Sequence, residues 1–411
     1  MTADSVLSIR RRTALRALAG ATTVGGSMGV AGADRSTGVL DEDDEDDELG
    51  DDDKEVKSDE QDEEGELGDD DADVPQQCDF GAVVEETMES VATIRTFDQH
   101  ERQFVQGSGW VFDREDDAAI VATNWHVIFG ALGADVRFAD GDWRPAGQLL
   151  GEDRYSDIAV FRVEDAPASA VPMSIEEAYP DPAAPIAVLG TPMGLERTVT
   201  TGVVSAVDRS TTVQIQHLLY TVPSTIQIDA ATNPGNSGGP VVDCDGRIVG
   251  VQFAGIRPDV GQNINFAVSA SMLSRVVPEL VETGRFDHPY LGIAGLTTSP
   301  MLSRQNDLDE TIEGVYVDVT VDGFPGELFL RGTSSVDRES GLPIGGDVIL
   351  AADDTDIDDT DTLRNYLFAE TRPEETIELT ILRHGDEREI PVTLDARPDE
   401  LESIAVQEST M

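Results

Sequence analysis

Ser237 lies in the octapeptide Asn233-Pro234-Gly235-Asn236-Ser237-Gly238-Gly239-Pro240, with glycines on both sides of it. Glycine takes backbone conformations closed to other residues and lets a substrate approach the main chain. A turn of this kind can aim the N–H groups of Gly235, Asn236 and Ser237 at one point, Gly235 and Ser237 foremost, and hold an oxyanion there. A serine hydroxyl is a weak nucleophile until an imidazole takes its proton, and that imidazole needs a carboxylate to fix its tautomer. Both partners lie upstream. Ile120-Val121-Ala122-Thr123-Asn124-Trp125-His126-Val127 reads as a buried strand ending at His126, and Tyr155-Ser156-Asp157-Ile158-Ala159-Val160 sets Asp157 at the mouth of another. Four other histidines have plainer settings: His100 in a polar segment, His217 in a polar run, His288 before a proline and His384 in a His-Gly turn.

These residues need a scaffold that brings together three distant stretches. From Phe80 to about Pro278 the chain alternates short β-branched strands with turns, a pattern of packed β-sheets rather than helices. A connector over residues 279–288 holds a short helix stopped at Thr283-Gly284. The composition allows two ordinary cores in 411 residues.

The chain order His126, Asp157, Ser237 is that of chymotrypsin-type enzymes, whereas other serine hydrolases run Ser-Asp-His or Asp-His-Ser. The three stretches resemble the HtrA/Deg family of trypsin-fold serine proteases. So do Gly107-Ser108-Gly109-Trp110-Val111-Phe112, Leu189-Gly190-Thr191-Pro192-Met193-Gly194-Leu195, Thr198-Val199-Thr200-Thr201-Gly202, Ile226-Gln227-Ile228-Asp229-Ala230-Ala231 and Asn265-Phe266-Ala267-Val268. The likeness covers roughly residues 80–395. It implies a mainly β protein: a chymotrypsin-like double β-barrel protease domain (78–280), with His126 and Asp157 in the first barrel and Ser237 in the second. It also implies that Ala231, six residues before the serine, lies at the base of the primary specificity pocket. A small neutral residue there argues for small aliphatic side chains rather than Lys or Arg.

Residues 289–397 resemble a PDZ domain of the same family. Tyr290-Leu291-Gly292-Ile293 matches its carboxylate-binding loop, where backbone N–H groups receive the C-terminus of a peptide that adds as a strand. Pro343-Ile344-Gly345-Gly346-Asp347-Val348-Ile349-Leu350 matches a turn and strand of these domains, and residues 360–369 read as the helix bordering the groove. Between Gly323 and Gly341 a polar loop containing Arg331-Gly332-Thr333-Ser334-Ser335 is expected in place of the usual short helix. The resemblance implies an endoprotease acting on unfolded or damaged proteins, with C-terminal peptides as PDZ partners, no cofactor, and a homotrimer as a possible assembly. Two other roles fit the same family: a holdase chaperone with a usually inactive site, and a PDZ scaffold.

The formal charge is −54, and Lys54 and Lys57 are the only lysines. Residues 41–73 carry 22 acidic side chains, yet residues 74–411 still hold 58 acidic against 21 basic, a net of −37. Acid spread over folded domains suits concentrated salt, where a Debye length of about 3 Å at 1 M screens the self-repulsion. The same sign disfavours nucleic acid. Arg10-Arg11-Arg12-Thr13-Ala14-Leu15-Arg16, an apolar Gly/Ala-rich segment and Ala31-Gly32-Ala33 read as a twin-arginine export signal over residues 1–33. Residues 34–77 are expected to form an acidic, disordered linker and 398–411 a tail. Cys78 and Cys244 admit two readings, a disulfide of an exported protein or two separate thiols. No Cys/His spacing suggests a metal, and Asp353-Asp354-Thr355-Asp356-Ile357-Asp358-Asp359 lacks the glycine and distal glutamate of a calcium loop.

Overall fold

The computed structural model describes residues 78–192, 197–215, 218–255 and 261–398. The expected signal peptide, the acidic linker, His217 and the tail from residue 399 lie outside the described residues.

Cys78, at the start, is joined to Cys244 in a disulfide with 5.2 Å between the Cα atoms. Helix α1 (Phe80–Thr87) follows, capped by the Asp79 carboxylate, which accepts the Ala82 N–H. Then come β1 (Val91–Phe97), β2 (Gln103–Glu115) and β3 (Ala118–Thr123), a single helical turn α2 (Trp125–Ile128), β4 (Gly133–Arg137), β5 (Trp143–Pro145), β6 (Leu149–Asp153) and β7 (Ile158–Val163). These strands pair in the order β5-β4-β1-β2-β3-β7-β6. Strand β3, the apolar run of the sequence, is buried along its whole length. Its end differs from expectation in one detail: His126 sits one residue into α2, not on the strand.

The next six strands close into a barrel in the order β10-β13-β12-β11-β8-β9. They are β8 (Pro185–Gly190), β9 (Thr198–Ile215), β10 (Leu218–Ile228), β11 (Pro240–Val242), β12 (Ile248–Gly255) and β13 (Asn265–Ser269). Ile186, Val188, Ile226, Ile228, Val241 and Ala267 fill the barrel. A separate core joins it to the first sheet, packing Trp110, Trp125 and Ile158 with Leu189, Val251 and Val268. Trp125 and Ile158, the chain neighbours of His126 and Asp157, lie in this seam.

Helix α3 (Ala270–Thr283) lays Met272, Leu273, Val276 and Val277 into that same core and ends at Gly284, whose φ of 84° forms the cap. The sequence boundary near Pro278 therefore falls inside a helix. A proline usually breaks a helix. Here the buried apolar face carries the helix past it.

The last part holds β14 (Pro289–Tyr290), β15 (Ile293–Thr297), α4 (Pro300–Gln305), β16 (Val315–Thr320), α5 (Pro325–Phe329), β17 (Ser335–Val336), β18 (Pro343–Ile344), β19 (Val348–Ala352), β20 (Thr355–Asp356), α6 (Thr360–Glu370), β21 (Thr376–Arg383), β22 (Asp386–Thr393) and β23 (Asp395–Ala396). Its main sheet runs β15-β16-β19-β21-β22, leaving β15 as an edge. The polar loop expected after Gly323 is corrected: a short helix, α5, is present, with Pro325 in its first turn and Glu327 accepting the Gly323 N–H. Five residues are too few for a helical period to show in sequence. Around the acidic run, Asp353 accepts the Tyr366 hydroxyl and the Glu378 N–H, which makes this segment a braced turn.

Candidate active site

Asp157 is fully buried and has a φ of 56°, the left-handed region that non-glycine residues rarely occupy. Four hydrogen bonds hold it there. Its carbonyl accepts the Trp125 N–H and the Asn124 side-chain amide, both at 3.0 Å. Its carboxylate takes the His126 backbone N–H on Oδ1 at 2.9 Å and meets His126 Nδ1 with Oδ2 at 2.7 Å. An ionised carboxylate only accepts, so Nδ1 carries the proton and Nε2 is left as a base. The His126 side chain is 11% exposed, enough to be reached from the seam.

The serine turn is tied to the same place through strand β2. Ser108 donates its N–H to the Ser237 carbonyl at 2.7 Å and its hydroxyl to the Gly235 carbonyl at 2.7 Å. The Ser108 carbonyl in turn accepts the Thr123 hydroxyl at 2.6 Å, three residues before His126. A Cβ at Gly107 would stand 2.7 Å from the Val127 methyls and 3.1 Å from the Ser237 carbonyl oxygen, so only glycine lets these segments close. Within the turn, the Asn236 N–H is taken by the Asn233 carbonyl at 3.0 Å. Among the described residues no acceptor takes the N–H of Gly235 or of Ser237. Of the three amides expected at the oxyanion hole, these two are free to receive a charge and that of Asn236 is engaged.

Ala231 is exposed, three residues beyond the end of β10. Beside it Thr232 donates its hydroxyl to Asn265 Oδ1 at 2.6 Å, while Asn265 Nδ2 donates to the Ala230 carbonyl at 2.8 Å. This clamp sets the Ala231 segment against β13.

At the other expected site, Leu291 is buried and Gly292 has a φ of 77°, with its carbonyl accepting the Val321 N–H at 2.8 Å. The Leu291 carbonyl accepts the Gly326 N–H at 2.7 Å. Both carbonyls are thus turned to the domain, and among the described residues the Leu291 and Gly292 N–H groups have no acceptor. Tyr290 belongs to β14 and Ile293 opens the edge strand β15. An edge strand with two unused amides at its start is the geometry a peptide carboxylate needs.

Sequence reasoning passed over Ser108, quoted only as part of a motif, and His288, set aside beside its proline. His288 Nε2 meets Asp153 at 2.8 Å with both side chains buried. Burial alone would raise the Asp153 carboxyl, but the His288 charge and hydrogen bond, with those from Ser156, outweigh it and hold the group below its ordinary value. The only local signal was the Asp at the head of the turn before Asp157.

A model described as a trypsin-like peptidase domain matches residues 107–251, and one described as a PDZ domain matches residues 328–394. Serine protease Do-like HtrA of Bacillus subtilis (strain 168) is 31% identical over 303 residues, 71% of this chain and 64% of that protein. Serine protease Do-like HtrB of the same organism is 27% identical over 296 residues, 70% of this chain and 61% of the relative. Among solved structures, the HtrA-type protease AlgW with tripeptide has a TM-score of 0.61 at 28% identity, covering 78% of this chain and 98% of that one. The chain is similar to HtrA-type serine proteases. It spans less than two thirds of the length of either Bacillus relative. A trypsin-like domain followed by a PDZ domain accounts for the two-part fold described above.

Proposed function

We propose that this chain is an exported serine endopeptidase of protein quality control that cleaves unfolded proteins. Ser237 attacks the scissile carbonyl, His126 Nε2 takes its proton and returns it to the leaving amine, and Asp157 holds the imidazole. The Gly235 and Ser237 amides receive the oxyanion. The observation that carries this reading is the double grip of Asp157 on His126, at 2.9 and 2.7 Å, beside a serine turn with two unused amides. Small aliphatic residues fit the site before the scissile bond, because Ala231 brings neither charge nor bulk. Such side chains are buried until a protein unfolds. The PDZ loop at Tyr290, Leu291, Gly292 and Ile293 receives C-terminal peptides. The disulfide between Cys78 and Cys244 supports an oxidising location outside the cytoplasm.

Casein cleavage in molar KCl, with and without a C-terminal peptide, tests the assignment. Ser237→Ala is expected to lower kcat about 10⁶-fold, since a triad acts as a unit. Asp157→Asn is expected to lower it roughly 10⁴-fold through the wrong tautomer. Full cleavage by the Ser237→Ala protein would end the reading.

A further inference from the structure

Asp153 opens the turn that delivers Asp157, and its carboxylate is that turn's centre. Oδ2 accepts the Ser156 N–H at 2.9 Å as well as the Ser156 hydroxyl, and Oδ1 accepts the Tyr155 N–H at 3.4 Å. Oδ1 also meets His288 Nε2 at 2.8 Å, reaching across 135 residues to the connector. The two side chains are only 7% and 6% exposed. Around the imidazole stand Tyr155 at 5.1 Å, Phe286 at 5.0 Å and Phe368 of helix α6 at 4.6 Å between ring centres. Its Nδ1 is buried and has no partner among the described residues.

A polar pair buried this deeply is no better for stability, on average, than a well-packed apolar pair. Fold stability is therefore a poor account of why it stands four residues ahead of a strained aspartate. A left-handed non-glycine residue persists only where its surroundings over-determine it. Among the described residues no other buried carboxylate or imidazole locks the turn behind Asp157.

We infer that Asp153 and His288 are positioning residues for Asp157, so that the connector and the PDZ helix packed on it set the posture of the catalytic carboxylate. The inference rests on the proposed protease reading. His288 bonds Asp153 rather than Ser237, and it acts through Asp153, the turn and Asp157 on His126. Releasing the turn leaves Ser237 and the pocket as they were but lets Asp157 drift from the imidazole. A displacement of about 1 Å in such a group can cost about 10²-fold.

The test compares wild type, His288→Leu, His288→Gln and Ser237→Ala on an unstructured peptide in molar KCl, well below the melting temperature of the least stable variant. His288→Leu is expected to lower kcat about 10- to 100-fold with little change in KM. His288→Gln places an amide donor where Nε2 stood and is expected to recover most of that loss. Equal losses in both variants, or a rise in KM at constant kcat, would overturn the inference. If the leucine variant does not fold, Ser156→Ala, which removes one bond to Asp153 and no charge, must lower kcat instead. A wild type no more active than Ser237→Ala removes the protease reading itself, whereas an active wild type matched by His288→Leu removes only this inference.

Discussion

Ser224 donates its backbone N–H to the side-chain oxygen of Asn365 at 2.9 Å, across 141 residues of chain. Ser224 lies in β10 of the closed barrel with a φ of 51°, and Asn365 lies on α6, the helix expected to border the peptide groove. Asn365 also accepts the Ser210 hydroxyl at 3.0 Å and donates to the Asp208 carbonyl at 2.9 Å, and it is 3% exposed. One amide thus fastens the PDZ domain to the barrel. Asn365→Leu strands the Ser224 N–H, at a cost of about 1–3 kcal/mol. Calorimetry is expected to show the joint melting transition broadened or split in two. An unchanged single transition would mean that the remaining contacts, such as Arg275 on the Thr371 carbonyl, suffice to hold the domains.

Gly238 and Gly141 make a matched pair, with φ values of 84° and 86°. A Cβ at Gly238 would stand 2.1 Å from the Ser108 carbonyl oxygen and 2.3 Å from the Thr123 hydroxyl, while Gly141 has nothing within 4 Å. Gly141→Ala is expected to cost only the left-handed penalty, about 1–2 kcal/mol. Gly238→Ala adds a clash with backbone and must shift the serine turn, so both stability and kcat fall further. Urea melts and casein cleavage of the two variants separate these contributions. Equal effects would remove the packing account of the turn.

The disulfide closes 166 residues of sequence between Cys78 and Cys244. Loop-closure entropy gives an upper figure of about 5 kcal/mol for a loop of this size, and removed native bridges typically cost about 2–5 kcal/mol. Replacing both cysteines by serine is expected to lower the denaturant midpoint accordingly. A midpoint unmoved by the double replacement would show that the N-terminal segment is held by helix α1 alone.

Asp153 is held below the ordinary aspartate value of 3.8 in the folded chain. Burial opposes this, and the His288 charge with the Ser156 bonds overcomes it. The folded value lies under the unfolded one, so the stabilisation is complete above 3.8 and disappears as pH falls through the folded value. The stability gap between wild type and Asp153→Asn is therefore expected to narrow in strong acid. A gap that widens on acidification would reverse the sign.

The net of −37 on residues 74–411 predicts that the folded domains need salt. At 0.01 M the Debye length is about 30 Å, so carboxylates across a domain repel one another. Melting temperature and cleavage are expected to rise from dilute buffer to molar KCl, and equally so after deletion of residues 34–73. A salt requirement lost with that deletion would place the effect in the linker.

Much of the site was legible because its signals are local. Glycines around Ser237, an apolar run closing on His126 and an aspartate heading the strand Ile158–Val163 each declare themselves within eight residues. The alternation of short β-branched runs likewise announces packed sheets, since burial on a pleat is written in the neighbouring residues. Helix α5 was missed for the opposite reason, being shorter than a helical period can reveal.

The sequence by itself determined which groups can react and in what order they occur along the chain. Only the tertiary structure decided the pairings beyond His126 and Asp157: Asp153 on His288, Cys78 on Cys244, Ser224 on Asn365. Likewise it decided that the Asn236 amide is spent inside its own turn while those of Gly235 and Ser237 stay free. Such pairings join residues far apart in the chain and have no period to read. They are selected by which buried charge or amide finds its complement when the cores close, because a buried polar group left unmatched costs more than its bond returns.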